Sequence, residues 1–232
     1  MQQTVHPFVF ETTRSVKSSF VEIIWHTQSD RAGTFTSIAA SNWEMVIATC
    51  NGKTMITARG PETKASVADF PANAEFFGIT FKLGTFMPHL PVKTLLDRQD
   101  VTLPEVSSHS FWLYGSTWEL PTFDNADVFV NRLIHQGVLV RDPAVEAAIQ
   151  GDKPDLSIRF LQYRFLQATG LTHKTIQQID LAHKAVLLLE QGTPILDTAI
   201  GLGYFDQAHL TNSLKRFIGK TPAQIVQKIT VE

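Results

Sequence analysis

The sequence predicts an α+β protein: an N-terminal β-sandwich or small barrel followed by an all-α C-terminal domain. Up to about residue 120, short β-branched and aromatic runs alternate with prolines and turn residues. From Asp124 onward, apolar residues recur at helical spacing. In the C-terminal third, a pattern of residues repeats after 49 positions. We therefore expect two domains, a β domain over residues 1–130 and a helical domain over residues 131–232.

Composition narrows the class of protein. With 232 residues, 44% of them hydrophobic and 18% charged, the chain is able to bury a core and is not disordered. Its single cysteine, Cys50, excludes an internal disulfide and cysteine-rich zinc sites, which favours a reducing compartment. The N-terminus lacks the pattern of a signal peptide, and no apolar run reaches the length of a membrane span. We expect a cytoplasmic protein with no membrane partner.

Five runs in the first half predict strands, each rich in β-branched or aromatic residues: Phe20–Thr27, Thr34–Ala40, Trp43–Cys50, Lys53–Ala58 and Glu75–Leu83. The pair Asn51–Gly52 separates the third run from the fourth. It predicts a hairpin, because both turn residues must adopt positive φ. Several short strands with turn signals are typical of an antiparallel sandwich or a small barrel.

Helical signals begin in the stretch Asp124–Ile134. Asp142 followed by Pro143 is then typical of an N-cap with proline in the first helical turn, opening a helix over residues 144–150. A long helix over Thr172–Gln191 has an apolar face and ends before Gly192. These signals place the change from strands to helices at about residues 120–140.

The repeat relates two capped helices. Ser157 and Asp206, both good N-cap residues, stand 49 positions apart. The residues that repeat at the same interval are Leu161, Phe165, Gly170, Thr172 and Ile176, which recur as Leu210, Leu214, Gly219, Thr221 and Ile225. A short helix and a glycine-containing turn precede each capped helix. This is the helix-turn-helix arrangement, which places its second helix in the major groove of DNA, over residues 142–170 and 194–219.

The stretch ILDTAIGLGYFDQAHLTNSLKRFIGKTPAQI resembles the signature of the AraC/XylS family of bacterial transcription regulators. The stretch LSIRFLQYRFLQATGLT is similar to the first helix-turn-helix of the same family. The resemblance implies two helix-turn-helix units joined by a long helix, reading successive major-groove segments of double-stranded DNA. It also implies a cupin-like N-terminal sensory domain for a small-molecule effector or for homodimer formation. RNA polymerase is an implied partner if the protein activates transcription.

Helical geometry assigns the side chains of the capped second helix of each unit, here called a reading helix, to an inward or an outward face. At about 100° per residue, Leu210, Leu214 and Phe217 share one face and must pack inward. The candidate base contacts lie on the opposite face or at the exposed helix start: Arg159, Gln162, Tyr163, Gln207, Ala208, Thr211 and Asn212. Tyr163 and Asn212 stand where arginine is frequent in the family. The candidate phosphate contacts are the basic residues Arg164, Lys215, Arg216 and Lys220.

Charge is distributed unevenly along the chain. Residues 1–140 carry 10 Lys and Arg against 13 Asp and Glu, whereas residues 156–228 carry 8 against 4. A basic C-terminal third fits an anionic polymer as partner.

Two interpretations stay open for the aromatic residues of the N-terminal half. Trp25, Trp43, Phe77 and Phe81 line an effector pocket, or they simply form the core between sheets. The histidines there show no paired metal-ligand spacing, so we expect no metal, no cofactor and no enzyme activity. The alternative is a cupin-like metabolic enzyme with a helical C-terminal extension.

Overall fold

A computed structural model describes residues 10–14, 17–98 and 100–229. The first nine residues, which carry most of the signal-peptide argument, lie outside this range. Among the described residues, no helix is both long and apolar enough to cross a membrane. The chain forms two compact units. Of the described residues, those within 10–35, 42–61 and 69–171 form the first unit, and those within 36–41, 62–68 and 172–229 form the second.

The strands of the described chain are β1 (Phe10–Arg14), β2 (Val21–Ser29), β3 (Gly33–Ser37), β4 (Glu44–Cys50), β5 (Lys53–Arg59), β6 (Ser66–Phe70), β7 (Ala74–Phe81), β8 (Thr85–Phe86), β9 (Val101–Thr102), β10 (Glu105–Ser107), β11 (Ser110–Leu113), β12 (Ser116–Glu119) and β13 (Val140–Arg141). Of these strands, β1 to β12 precede the first α-helix in the chain and β13 follows it. A short 3₁₀ segment, interrupted by a kink at Leu96 and Asp97, covers Val92–Arg98.

Helices follow. They are α1 (Ala126–His135), α2 (Pro143–Ile149), α3 (Ile158–Thr169), α4 (His173–Glu190), α5 (Ile195–Gly201), α6 (Gln207–Phe217) and α7 (Pro222–Ile229). The predicted change from a β-rich region to a helical region is confirmed.

The main sheet of the described chain is antiparallel, with strand order β1-β2-β7-β4-β5-β9. Smaller sheets join β10-β11-β12, β13-β8 and β3-β6. The predicted hairpin is present between β4 and β5, where Asn51 has φ 52° and Gly52 has φ 74°. Both residues adopt the positive φ that a tight hairpin turn requires.

One hydrophobic core holds the first unit together. Ile24, Met45 and Ile79 alternate inward from neighbouring strands of the main sheet, each 0% exposed. Helix α1 adds Phe129 and Leu133 to the same core. The amphipathic pattern that predicts α1 therefore marks the face that packs inward.

The compact units do not follow the predicted domain boundary at residue 130. Helices α1, α2 and α3 belong to the same unit as the main sheet, while α4 to α7 belong to the second unit. Helix α3 packs on the 3₁₀ segment and on β8, both of which lie in its own unit. The division into a β domain over residues 1–130 and a helical domain over residues 131–232 stays a prediction.

Candidate nucleic-acid interface

Helix α6 is the clearer of the two candidate reading helices. The carboxylate of Asp206 accepts a hydrogen bond from the amide of His209 at 2.6 Å and so caps the helix start. Leu210, Leu214 and Phe217 are 0%, 0% and 3% exposed, as the helical spacing predicts. The buried stripe fixes the rotation of α6 about its own axis, which determines the side chains that face solvent.

The outward face of α6 carries most of the predicted base contacts. Gln207, Ala208 and Asn212 are exposed. Thr211 is half-buried, and its hydroxyl donates a hydrogen bond to the carbonyl of Gln207 at 2.8 Å. The Thr211 hydroxyl proton is therefore engaged within the helix, which leaves its oxygen lone pairs and its methyl group to meet a base.

The last turn of α6 and the residues after it are basic. Lys215, Arg216 and Lys220 are exposed, and the guanidinium of Arg216 lies 4.9 Å from the centre of the Phe217 ring. Cations near the C-terminus of a helix are favoured by its dipole. Gly219 follows with φ 77°, a left-handed conformation that favours glycine and ends the helix.

Helix α5 and its turn support α6 from the N-terminal side. Ala199 is 0% exposed, and Gly203 in the turn has φ 75°. The Tyr204 hydroxyl lies 3.1 Å from the hydroxyl oxygen of Ser213 on α6, and burial raises the pKa of Tyr204. The turn between α5 and α6 is thus tied to the helix that it introduces.

Helix α3 repeats this design in the first unit. The Ser157 hydroxyl accepts a hydrogen bond from the amide of Phe160 at 3.3 Å and caps α3. Phe165 and Ala168 are buried, whereas Arg159 and Gln162 are exposed, as predicted. Around these polar residues the exposed surface is apolar, with large accessible fractions at Ile158, Phe160, Tyr163 and Leu166.

Arg164 is placed differently from the other candidate phosphate contacts. Its Nε atom donates to a carboxylate oxygen of Asp142 at 2.6 Å, and its guanidinium lies 5.7 Å from the Phe160 ring centre. The same carboxylate caps α2 by accepting from the amides of Ala144 and Val145. An arginine already paired with a carboxylate has less charge to offer a phosphate, so this geometry favours a structural role.

Two short segments of the second unit contact α6, and nothing in the sequence predicted these contacts. Residues 36–41 and 62–68, here named the supporting segments, belong to the same compact unit as α4 to α7. The amide of Ala39 donates to the carbonyl of Phe217, and the amide of Ala65 donates to the carbonyl of Arg216, both at 2.7 Å. The last turn of α6 is therefore hydrogen-bonded to residues far upstream in the chain.

The four aromatic residues predicted to line an effector pocket serve mainly as packing residues in the first unit. Trp43, Phe77 and Phe81 are 3%, 6% and 0% exposed, and the rings of Trp43 and Phe81 stack at 4.2 Å. Trp25 is half-buried and lies over Gly78, where a Cβ atom would stand 2.1 Å from the indole. This close packing by neighbouring rings and strands fits the core alternative that the sequence left open, and a role of these side chains in binding an effector stays a prediction.

A cleft of about 180 Å³ lies elsewhere in the first unit, and none of those four aromatics lines it. Its floor is apolar, with Ile56, Leu103 and Phe111 each buried. Its rim is polar and includes Lys53 and Ser110. A cleft with an apolar floor and a few polar groups suits a small, partly apolar molecule.

Residues 152–228 match the family model described as a helix-turn-helix domain. This span includes both candidate reading helices and the long helix between them. The match identifies this part of the chain as a helix-turn-helix domain. The matched span contains both stretches on which the sequence resemblance to the AraC/XylS family depends, so the helix-turn-helix part of that resemblance is confirmed.

Curated proteins give no significant match. Among solved structures, ToxT from Vibrio cholerae O395 is 9% identical, with a TM-score of 0.39 over 95% of this chain and 98% of that chain. An unsaturated fatty acid-bound ToxT from Vibrio cholerae strain SCE256 is 8% identical, with a TM-score of 0.39 over 94% of this chain and 99% of that chain.

Proposed function

We propose that the protein is a sequence-specific transcription regulator that binds double-stranded DNA. The observation that carries this proposal is the duplicated capped helix, which buries an apolar stripe and exposes hydrogen-bond donors on the opposite face. The family match over residues 152–228 supports the same function independently of side-chain geometry. We propose that α2 with α3 and α5 with α6 are two helix-turn-helix units, joined by α4.

Each outward residue has a distinct task in this proposal. Arg159 can donate two hydrogen bonds to a guanine, and Gln162 or Gln207 can pair with an adenine. Tyr163, Ala208, Thr211 and Asn212 offer apolar or single-bond contacts to bases. Lys215, Arg216 and Lys220 neutralise phosphates and set the position of α6 on the duplex without reading its sequence.

The β-rich part of the first unit has a sensory role in this proposal, as the cupin-like domain implied by the AraC resemblance. The cleft lined by Lys53, Ile56 and Ser110 supports binding of a small effector that is apolar at one end and anionic at the other. Such a ligand would place its anionic end near Lys53, which forms no ion pair among the described residues. In this proposal the full chain forms a homodimer, and RNA polymerase is a further partner if the regulator activates transcription.

Mapping of DNA bound by the full chain across the genome of its host tests the main proposal. We expect a recurring sequence with two half-motifs, and purified protein should bind that sequence with an affinity that falls steeply as salt rises. Binding without sequence preference, or no binding of duplex DNA, would overturn the proposal.

The effector site has a separate test. Small organic acids that bind in the cleft should raise the Tm of the full chain, because a ligand that binds only the folded state stabilises it. Ser110→Trp fills the cleft and should abolish the rise. Ser116→Trp, at an exposed position on the neighbouring strand β12, is the matched control and should retain it.

A further inference from the structure

The supporting segments are tied to each other before they meet any helix. The backbones of Ala40 and Glu62 exchange two hydrogen bonds, each at 3.0 Å. The Glu62 carboxylate is almost fully buried and accepts from the hydroxyls of Ser37 at 2.9 Å and Ser66 at 3.2 Å. These contacts join the two supporting segments into one structural unit, here called the platform. A movement of either segment therefore moves the other.

This platform supplies hydrogen-bond donors where helix α6 needs them. The last carbonyls of a helix have no partner within it. In α6, the carbonyls of Arg216 and Phe217 accept from Ala65 and Ala39, as described above. A Cβ built on Gly219 would lie 3.1 Å from Thr36 and 3.2 Å from Ala65, so the backbone that follows α6 also approaches the platform closely.

Helix α4 meets the platform as well. The Nε2 atom of His183 lies 2.7 Å from the carbonyl oxygen of Ala39. Ala39 is 0% exposed and thus uses its amide toward α6 and its carbonyl toward α4. One residue of the platform therefore fixes two helices of the DNA-binding segment.

The contacts leave the outward side of α6 uncovered. Lys215 and Arg216 are exposed although the Arg216 carbonyl is bound from the other side. The platform extends from strands β3 and β6, and the boundary between the compact units falls inside both strands. A change in these strands thus has a direct hydrogen-bonded route to the turn of α6 that carries the phosphate contacts.

We propose that the supporting segments are a built-in regulatory contact that holds the last turn of α6 in its DNA-binding position. Release of the segments lowers operator affinity, and operator binding in turn stabilises the segments, because coupling between two sites is reciprocal. This inference rests on the proposed function, and it adds a specific route by which the N-terminal half of the chain controls α6.

Two measurements on the full chain test the proposal. Ala65→Pro removes the amide that Arg216 requires, whereas the control Ala65→Gly keeps it. We expect Ala65→Pro to bind the operator about 2- to 10-fold more weakly than Ala65→Gly, the range that corresponds to one net hydrogen bond. In the unaltered protein, operator binding should slow amide hydrogen exchange in residues 36–41 and 62–68 but not in the hairpin of β11 and β12.

The exchange measurement decides the matter if Ala65→Pro does not fold. Equal affinities of the two folded variants, or unchanged exchange in the supporting segments, would overturn the inference. Lys64→Ala shows whether the segments contact DNA themselves, since Lys64 is the exposed cation beside Ala65. We expect Lys64→Ala to leave the salt dependence of operator binding unchanged. A reduced salt dependence would show that the supporting segments contact DNA directly and would overturn the regulatory proposal. Failure of the unaltered protein to bind any duplex would instead overturn the proposed function.

Discussion

The Nε atom of Arg164 lies 2.6 Å from Oδ2 of Asp142 and joins the middle of α3 to the start of α2. The other oxygen of this carboxylate accepts from the amides of Ala144 and Val145. Asp142 therefore has two tasks, since it caps one helix and positions the next. The angle between α2 and α3 depends on this single side chain together with apolar packing.

Removal of Asp142 should destabilise the protein more than removal of its partner. Asp142→Ala loses the cap, which contributes about 1 kcal/mol to the free energy of unfolding. It also leaves Arg164, a half-buried cation, without its carboxylate. Arg164→Ala keeps the cap and should cost less, because partly exposed ion pairs contribute about 0–1 kcal/mol. Urea unfolding of the two variants and of the double variant measures both contributions, and equal losses in the single variants would contradict the dual role.

Arg159→Ala should relax sequence specificity. A bidentate contact to guanine discriminates by about 1–3 kcal/mol, so the variant should lose that preference at one base pair while its non-specific affinity changes little. Binding curves for the operator and for single-base variants of it measure the effect. Equal weakening on matched and mismatched sites would identify Arg159 as a phosphate contact.

Lys215→Ala should weaken binding to all sequences alike. We expect the slope of log affinity against log salt to fall by about one, because one phosphate contact is lost. Arg164→Ala is the matched control, since the Arg164 charge is already paired with Asp142. Titrations at several salt concentrations check both variants, and a slope change in Arg164→Ala as large as in Lys215→Ala would show that Arg164 does reach DNA.

Two buried threonines should respond differently to replacement by valine. The Thr198 hydroxyl on α5 is buried and finds no hydrogen-bond partner among the described residues. The Thr169 hydroxyl on α3 donates to the carbonyl of Phe165 at 2.8 Å and accepts from the amide of Leu171 at 3.2 Å. Thr198→Val should leave stability unchanged or raise it, whereas Thr169→Val should lower it by about 1–3 kcal/mol. Thermal unfolding that gives both variants the same sign would contradict this assignment.

Stability should fall in mild acid because of His89. Burial lowers the pKa of His89, whose ring stacks on Tyr114 at 4.4 Å. The unfolded chain therefore binds a proton more readily than the folded chain. The stabilisation is complete above the unfolded pKa of about 6.5 and is lost as the pH falls through the lower folded pKa. His89→Phe retains the stacking and cannot be protonated, so its unfolding free energy should change less between neutral and mildly acidic pH than that of the unaltered protein.

Local signals predicted the helices and the reading faces well. Asp142, Ser157 and Asp206 cap their helices as expected, because an N-cap depends on amides only two or three residues away. The inward and outward faces of α6 followed from the spacing of apolar residues. Base and phosphate contacts themselves stay predictions, because they depend on a partner that is not part of the chain.

Features that depend on residues distant in the chain could not be predicted from the sequence. The ion pair of Arg164 depends on a carboxylate 22 positions away, and the contact between Ala39 and Phe217 spans most of the chain. Nothing in the sequence around Ala39 distinguishes its amide from any other. Short strands such as β1 and the hairpin of β11 and β12 were also missed, since pairing with neighbours rather than residue preference stabilises them.

The boundary between the compact units crosses the chain at five points: after residues 35, 41, 61, 68 and 171. No single cut therefore separates the second unit intact from the first. A chimaera that transfers only residues 172–232 to another protein would leave the carbonyls of Arg216 and Phe217 to water. Exchange of DNA-binding segments between such proteins, in the laboratory or in evolution, has to carry two inserts from the β-rich region as well.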